Sequence, residues 1–119
     1  MPFQKILDDL VNDLPDAIGA IIVDYEGECV QLASRIDEDD IKLLGAYQVI
    51  YIDTIREMLV TRYDHCNANS ITTKANLMDI ISIRIDDDYL VSLVLKSDSL
   101  LGVAEHALKV QLIEIQKII

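Results

Sequence analysis

Residues 17–34 have the sequence AIGAIIVDYEGECVQLAS, in which two apolar stretches flank a short polar turn. The run over residues 17–23 is apolar on both faces of a pleated strand, which is typical of a central strand covered on two sides. The turn at residues 25–27 ends in glycine, which adopts the positive φ that tight turns require. The sequence therefore predicts a hairpin of strands at Ala17–Asp24 and residues 28–34.

The spacing of apolar residues predicts one helix before the hairpin and another at the end of the sequence. The first covers residues 2–14 and ends there, because Pro15 disfavours helical geometry in the residue before it. The last is expected to begin at Ser97 or Asp98 as N-cap and to run to the end of the sequence. Its apolar stripe consists of Leu101, Ala104, Leu108, Leu112, Ile115 and Ile119.

A long helix and three more strands lie between the hairpin and the last helix. The helix is expected over residues 37–63, with Asp37 as N-cap, and the strands at residues 69–75, 77–85 and Tyr89–Lys96. The element order is then α-β-β-α-β-β-β-α. We expect an α+β fold, a five-stranded antiparallel sheet with the long helix on one face and two helices on the other. The two most apolar strands, the first and the fifth, are expected in its middle.

Length, composition and charge narrow the class of protein. The 119 residues are 51 % apolar and 26 % charged, which is typical of one globular domain, here residues 1–119. No apolar run approaches the roughly 18 residues of a membrane span, so we expect a cytoplasmic protein without membrane insertion. The formal net charge of −11 disfavours nucleic acid as a partner, because such a surface repels phosphates.

The sequence contains no recognisable catalytic, cofactor or metal motif. The four glycines are too dispersed to form a phosphate-binding loop. His65 and Cys66 with Cys29 lack the ligand spacing of zinc sites, and we expect the two cysteines to be buried apolar side chains. The acidic stretches at residues 37–40 and 86–88 fit a helix start and a solvated turn better than a calcium loop. We therefore expect no cofactor, no metal and no enzymatic activity.

The long helix has more apolar surface than one face of a sheet can cover. One stripe consists of Ile41, Leu44, Ile52, Ile55 and Leu59. A second stripe, about 120° away around the helix, consists of Leu43, Tyr47, Ile50, Tyr51, Thr54 and Met58. Since a chain of this length has no spare element to cover the second stripe, we expect another subunit to cover it.

The predicted strand at residues 69–75 supports this expectation. Lys74 is its only charged residue, so the strand lacks most of the features that block pairing between sheet edges. Pairing with its own copy would give a two-fold dimer with one continuous sheet. The predicted dimer interface therefore consists of the second helical stripe together with Ser70, Ile71, Thr72 and Thr73.

The order of the eight elements resembles the roadblock family. The resemblance also includes the strand and turn at residues 20–27, AIIVDYEG, and the segment SLLGV at residues 99–103 entering the last helix. That family comprises dynein light chains, scaffold subunits on lysosomes and MglB-like partners of bacterial Ras-like GTPases. The length is most similar to the prokaryotic, MglB-like group.

The resemblance implies a homodimeric platform that binds a small Ras-like GTPase and regulates its nucleotide state or its localisation. Candidate partner-binding residues on the solvent side of the long helix are Lys42, Asp53, Arg56 and Glu57. Arg56 or Arg62 is conceivable as an arginine finger. The acidic surface favours a basic docking face and salt-sensitive association. The alternatives are a small-ligand sensory domain and a purely structural adaptor.

Overall fold

The computed structural model describes residues 2–118 and contains three helices and five strands, in the order predicted. The helices are Pro2–Asp13 (α1), Glu38–Arg62 (α2) and Leu101–Ile118 (α3), and the strands are Ala17–Asp24 (β1), Cys29–Ser34 (β2), Ser70–Lys74 (β3), Met78–Arg84 (β4) and Tyr89–Lys96 (β5). The predicted α+β fold class is confirmed. β2, β3 and β4 are shorter than predicted by one residue at one or both ends. No helix in this part of the chain is long and apolar enough to cross a lipid bilayer.

The five strands form one antiparallel sheet in the order β2-β1-β5-β4-β3. The apolar strand β5 occupies the centre, with β1 beside it, as the sequence predicts. β3 pairs with β4 alone, so it forms one edge of the sheet. Five register pairs, from Ser70 opposite Ile83 to Lys74 opposite Asp79, hold it there.

Helices cover both faces of the sheet, because alternate side chains of the central strands point to opposite sides. On one face, Leu93 and its neighbours pack against buried residues of α1 and α3 such as Leu10 and Leu108. On the other face, Val94 belongs to a second cluster that contains Ile52 of α2. The long helix therefore lies alone on its face, as expected.

The carboxyl end of α1 is bonded to the rest of the fold by one side chain. Arg35 donates hydrogen bonds to the carbonyl oxygens of Val11 at 2.8 Å, Pro15 at 3.1 Å and Ala17 at 2.9 Å. These bonds include a carbonyl of the last turn of α1, which has no partner within the helix. α1 ends at Asp13, one residue earlier than predicted.

The predicted start of α3 at Ser97 or Asp98 is wrong, since the helix begins at Leu101. Asp98 has a φ of +61°, whereas an N-cap residue has extended geometry. Ser97 continues the sheet contacts instead, since its backbone N–H donates to the carbonyl of Leu77 at 3.3 Å. The predicted apolar stripe does face the core over residues 101–115, while Ile119 lies outside the described residues.

Candidate functional site

The inner face of α2 packs against the sheet at close range. Its buried residues are Ile41, Gly45, Gln48, Val49 and Ile52. A Cβ added at Gly45 would lie 3.0 Å from Cγ2 of Ile21 and 3.2 Å from Cγ1 of Val23, so any larger residue here would force these side chains of β1 to shift. The N-cap side chain of Asp37 accepts a hydrogen bond from the N–H of Asp39 at 2.8 Å, as predicted.

The inner face also contains a polar residue that the sequence analysis missed. Gln48 is buried against the sheet, where its Oε1 accepts a hydrogen bond from Ser82 at 3.0 Å. Gln48 does lie on the helical repeat that contains Ile41, Gly45 and Ile52, so spacing could have indicated its position. Its amide, however, is typical of a solvent-facing residue.

The outer face of α2 is the second predicted stripe: Leu43, Tyr47, Ile50, Tyr51, Thr54 and Met58. All six residues are exposed, Leu43 by 59 % and Ile50 by 55 %. The rings of Tyr47 and Tyr51 lie side by side, with centroids 6.1 Å apart. The Thr54 hydroxyl donates to the carbonyl of Ile50 at 2.7 Å, so part of its polarity is satisfied within the helix. The result is an apolar, aromatic surface that no other element of residues 2–118 covers.

One residue assigned to the inner stripe lies at its border. Ile55 is 38 % exposed, although Leu59, one turn further along α2, packs against the inner cluster. Ile55 therefore extends the apolar outer surface, and its placement against the sheet was wrong.

The β3 edge lies open along its whole length. Ser70, Thr72 and Thr73 are exposed, while Ile71 is half-buried and packs against the cluster beneath α2. A strand paired on one side only presents a row of backbone donors and acceptors on the other. The outer face of α2 and the β3 edge are thus two surfaces that favour association.

The four candidate partner-binding residues do not form a single group. Asp53, Arg56 and Glu57 line an open surface groove of about 540 Å³, together with Val60 and Thr61. Lys42 is exposed near the amino end of α2, three turns away from this groove. The structure therefore brings three of the four together.

Arg56 is held by contacts within its own chain. Its Nε donates to Oδ1 of Asn67 at 2.8 Å, and its Nη1 lies 3.5 Å from a carboxylate oxygen of Asp53. The guanidinium carbon stands 5.6 Å from the centre of the Tyr25 ring, a cation–π distance. Burial raises the pKa of the Tyr25 phenol, and the positive charges of Arg56 and Arg84 oppose that shift. These contacts limit the reach of Arg56 toward a bound protein, whereas Arg62 is exposed in the last turn of α2.

The cysteines are free and half-buried rather than fully buried as expected. Burial is the main cause that raises the pKa of the Cys29 thiol. Within residues 2–118, no group of three or more His, Cys, Asp or Glu side chains is arranged to hold a metal ion.

Comparison with known proteins relates the fold to solved structures. No family model and no curated protein sequence matches the chain. A Roadblock/LC7 domain from Streptomyces avermitilis superposes with a TM-score of 0.86 at 10 % identity, over 96 % of this chain and 94 % of that one. MglB of Myxococcus xanthus gives 0.84 at 14 % identity, over 97 % and 92 %.

MglC of Myxococcus xanthus gives a TM-score of 0.71 at 17 % identity and is covered completely, as is this chain. At identities this low, the comparison shows a shared fold. That fold is the one that the sequence resemblance implied. The arrangement of eight elements described above is therefore the roadblock fold of the Roadblock/LC7 and MglB structures.

Proposed function

We propose that the chain forms a homodimer through the outer face of α2 and the β3 edge, and that this dimer is a platform for a small Ras-like GTPase. The observation that carries the proposal is the outer face of α2, whose large apolar side chains are exposed in the single chain. Two such helices packed together, with the two β3 edges paired, would remove both surfaces from water.

The GTPase partner is inferred from the roadblock fold and from the sequence resemblance to MglB-like proteins. The dimer would act without catalytic residues of its own, because phosphoryl transfer needs a phosphate loop and a magnesium ion that belong to the GTPase. A platform shifts the nucleotide state of its partner only through a difference in affinity for the two states. We therefore propose regulation of the nucleotide state or of the localisation of the GTPase.

Light scattering of the purified protein tests the dimer. Wild type is expected to form the α2 dimer, alone or within a larger assembly. Tyr47→Asp/Ile50→Asp is expected to have a lower molar mass than wild type, because the new carboxylates would be buried in the interface. Val60→Asp is a matched control, since Val60 is an exposed apolar residue of the same helix on a different side. A wild-type-like elution of the double variant would place the contact elsewhere.

Binding of a candidate GTPase in each nucleotide state tests the platform. The proposal expects the dimer to bind the GDP form and the GTP-analogue form with different affinities. Equal affinities would contradict regulation by state preference and favour the structural adaptor. Absence of binding in both states, for every small Ras-like GTPase of the source organism, would contradict the platform itself.

A further inference from the structure

α3 carries an apolar stripe on the side turned away from the core. Val103, Val110 and Ile113 are exposed by 58 %, 46 % and 57 %. Together with the exposed residues His106 and Lys117 they recur at alternating intervals of three and four residues. This is the spacing of the contact positions in paired helices. These five residues are called the α3 seam below.

The charge of α3 suits contact with a second copy of this chain. Two Lys and two Glu cancel within residues 101–118, whereas the whole chain has a net charge of −11. The four charges form two ion pairs on the helix surface, Lys109 with Glu105 at 3.0 Å and Lys117 with Glu114 at 3.1 Å. All of the net negative charge thus lies outside α3, so two copies can meet along this helix without the repulsion that the rest of the surface produces.

The two ends of α3 are complementary to each other. At the amino end an apolar pocket of about 220 Å³ is lined by Leu14, Leu95, Leu100 and Val103, among others. At the carboxyl end Ile118 is exposed. The helix of 18 residues is about 27 Å long. An antiparallel pair of such helices places each carboxyl end beside the pocket of the other copy.

We propose that the α3 seam packs antiparallel against the α3 seam of a second copy, around a two-fold axis at Val110. In this register Val103 of one copy faces Lys117 of the other. Glu114 of one copy faces His106 of the other, which provides a ring N–H for its carboxylate. The opposed helix dipoles also favour the antiparallel direction.

This pairing is compatible with the proposed α2 dimer. Its biological consequence rests on the proposed function. α2 and α3 lie on opposite faces of the sheet, so both contacts form at once. Two different two-fold contacts on one chain generate a closed tetramer or a longer row of dimers. The α3 seam would therefore join GTPase platforms into larger assemblies.

Disulfide cross-linking tests the pairing separately from the α2 dimer. In a Cys29→Ser/Cys66→Ser background, Val110→Cys is expected to form a covalent dimer under mild oxidation, seen on a non-reducing gel. Glu105→Cys is the control, because five residues turn it about 140° around the same helix. Failure of Val110→Cys to cross-link, or equal cross-linking of Glu105→Cys, would overturn the proposal.

A second pair of variants fixes the direction. A mixture of Val103→Cys and Lys117→Cys chains is expected to cross-link, while Val103→Cys alone is expected to form no cross-link. A cross-linked Val103→Cys homodimer would indicate a parallel pair of helices. A mixture that forms no cross-link would exclude the register in which Val103 faces Lys117. Either result overturns the proposal. Val110→Cys should still cross-link when Tyr47→Asp/Ile50→Asp is added, which separates this pairing from the fate of the proposed α2 dimer.

Discussion

The hydroxyl of Ser82 donates a hydrogen bond to Oε1 of Gln48 at 3.0 Å, between α2 and the centre of the sheet. A second hydroxyl, that of Ser92 on β5, lies 2.8 Å from the same Ser82 oxygen. All three side chains are buried, in a layer whose other buried side chains are aliphatic. A polar cluster of this kind defines one lengthwise position of α2 on the sheet, because any shift of the helix would leave buried polar groups without partners.

The first prediction concerns this cluster. Ser82→Ala removes the donor to Gln48 and the partner of Ser92, so it should lower the free energy of unfolding by about 1–3 kcal/mol. The triple variant Gln48→Leu/Ser82→Ala/Ser92→Ala removes every member of the cluster and should be closer to wild type in stability. Urea unfolding at one protein concentration measures both. A Ser82→Ala protein as stable as wild type would show that the cluster is energetically neutral.

The second prediction concerns the distance between α2 and β1. Gly45→Ala gains helix propensity, worth up to about 1 kcal/mol, but its Cβ would press on Ile21 at 3.0 Å. Overpacking of this kind costs about 1–3 kcal/mol, so we expect a net loss in thermal or urea stability. Gly102→Ala in α3 is the control, since nothing lies within 4 Å of its added Cβ. A Gly45→Ala protein more stable than the control would contradict the close packing.

The third prediction concerns the edge strand. Two-fold pairing centred on β3 places Thr72 opposite its own copy, so Thr72→Lys would set two like charges against each other. We expect the dimer to dissociate about fivefold more readily, which corresponds to roughly 1 kcal/mol. Thr72→Val keeps the shape without the charge and should retain wild-type affinity. Sedimentation equilibrium measures both, and equal dissociation constants for the two variants would exclude pairing through this edge.

The fourth prediction concerns Arg56. An arginine finger contributes about 10³–10⁵ to GTP hydrolysis, but Arg56 is bonded to Asp53 and Asn67 and stacked on Tyr25. We therefore expect Arg56→Ala to lower any stimulated hydrolysis by the partner GTPase by less than about tenfold, through weaker docking. Single-turnover hydrolysis measures the effect, with Arg62→Ala alongside. A thousandfold loss in Arg56→Ala would identify it as the finger.

Much of the candidate site could be predicted from the spacing of residues in the sequence. The outer face of α2 was found by its periodicity, since six residues on one side of a helix remain on that side wherever the helix packs. The partial exposure of Ile55 could not be predicted in this way, because it depends on how much of this side chain the neighbouring elements cover. The contacts of Arg56 could not be predicted either, since Tyr25 and Asn67 are 31 and 11 residues away in sequence.

The sequence by itself determined the type and order of the eight elements and the central position of the most apolar strands. These properties depend on local periodicity and on how many faces of each element are apolar. Only the tertiary structure decided that α3 begins at Leu101, that Gln48 is buried and that Gly45 packs closely against β1. Each of these depends on backbone and side-chain contacts between segments far apart in the chain. Helical spacing indicates the side of α2 on which Gln48 lies, but not the hydroxyl of Ser82 that makes burial of its amide possible.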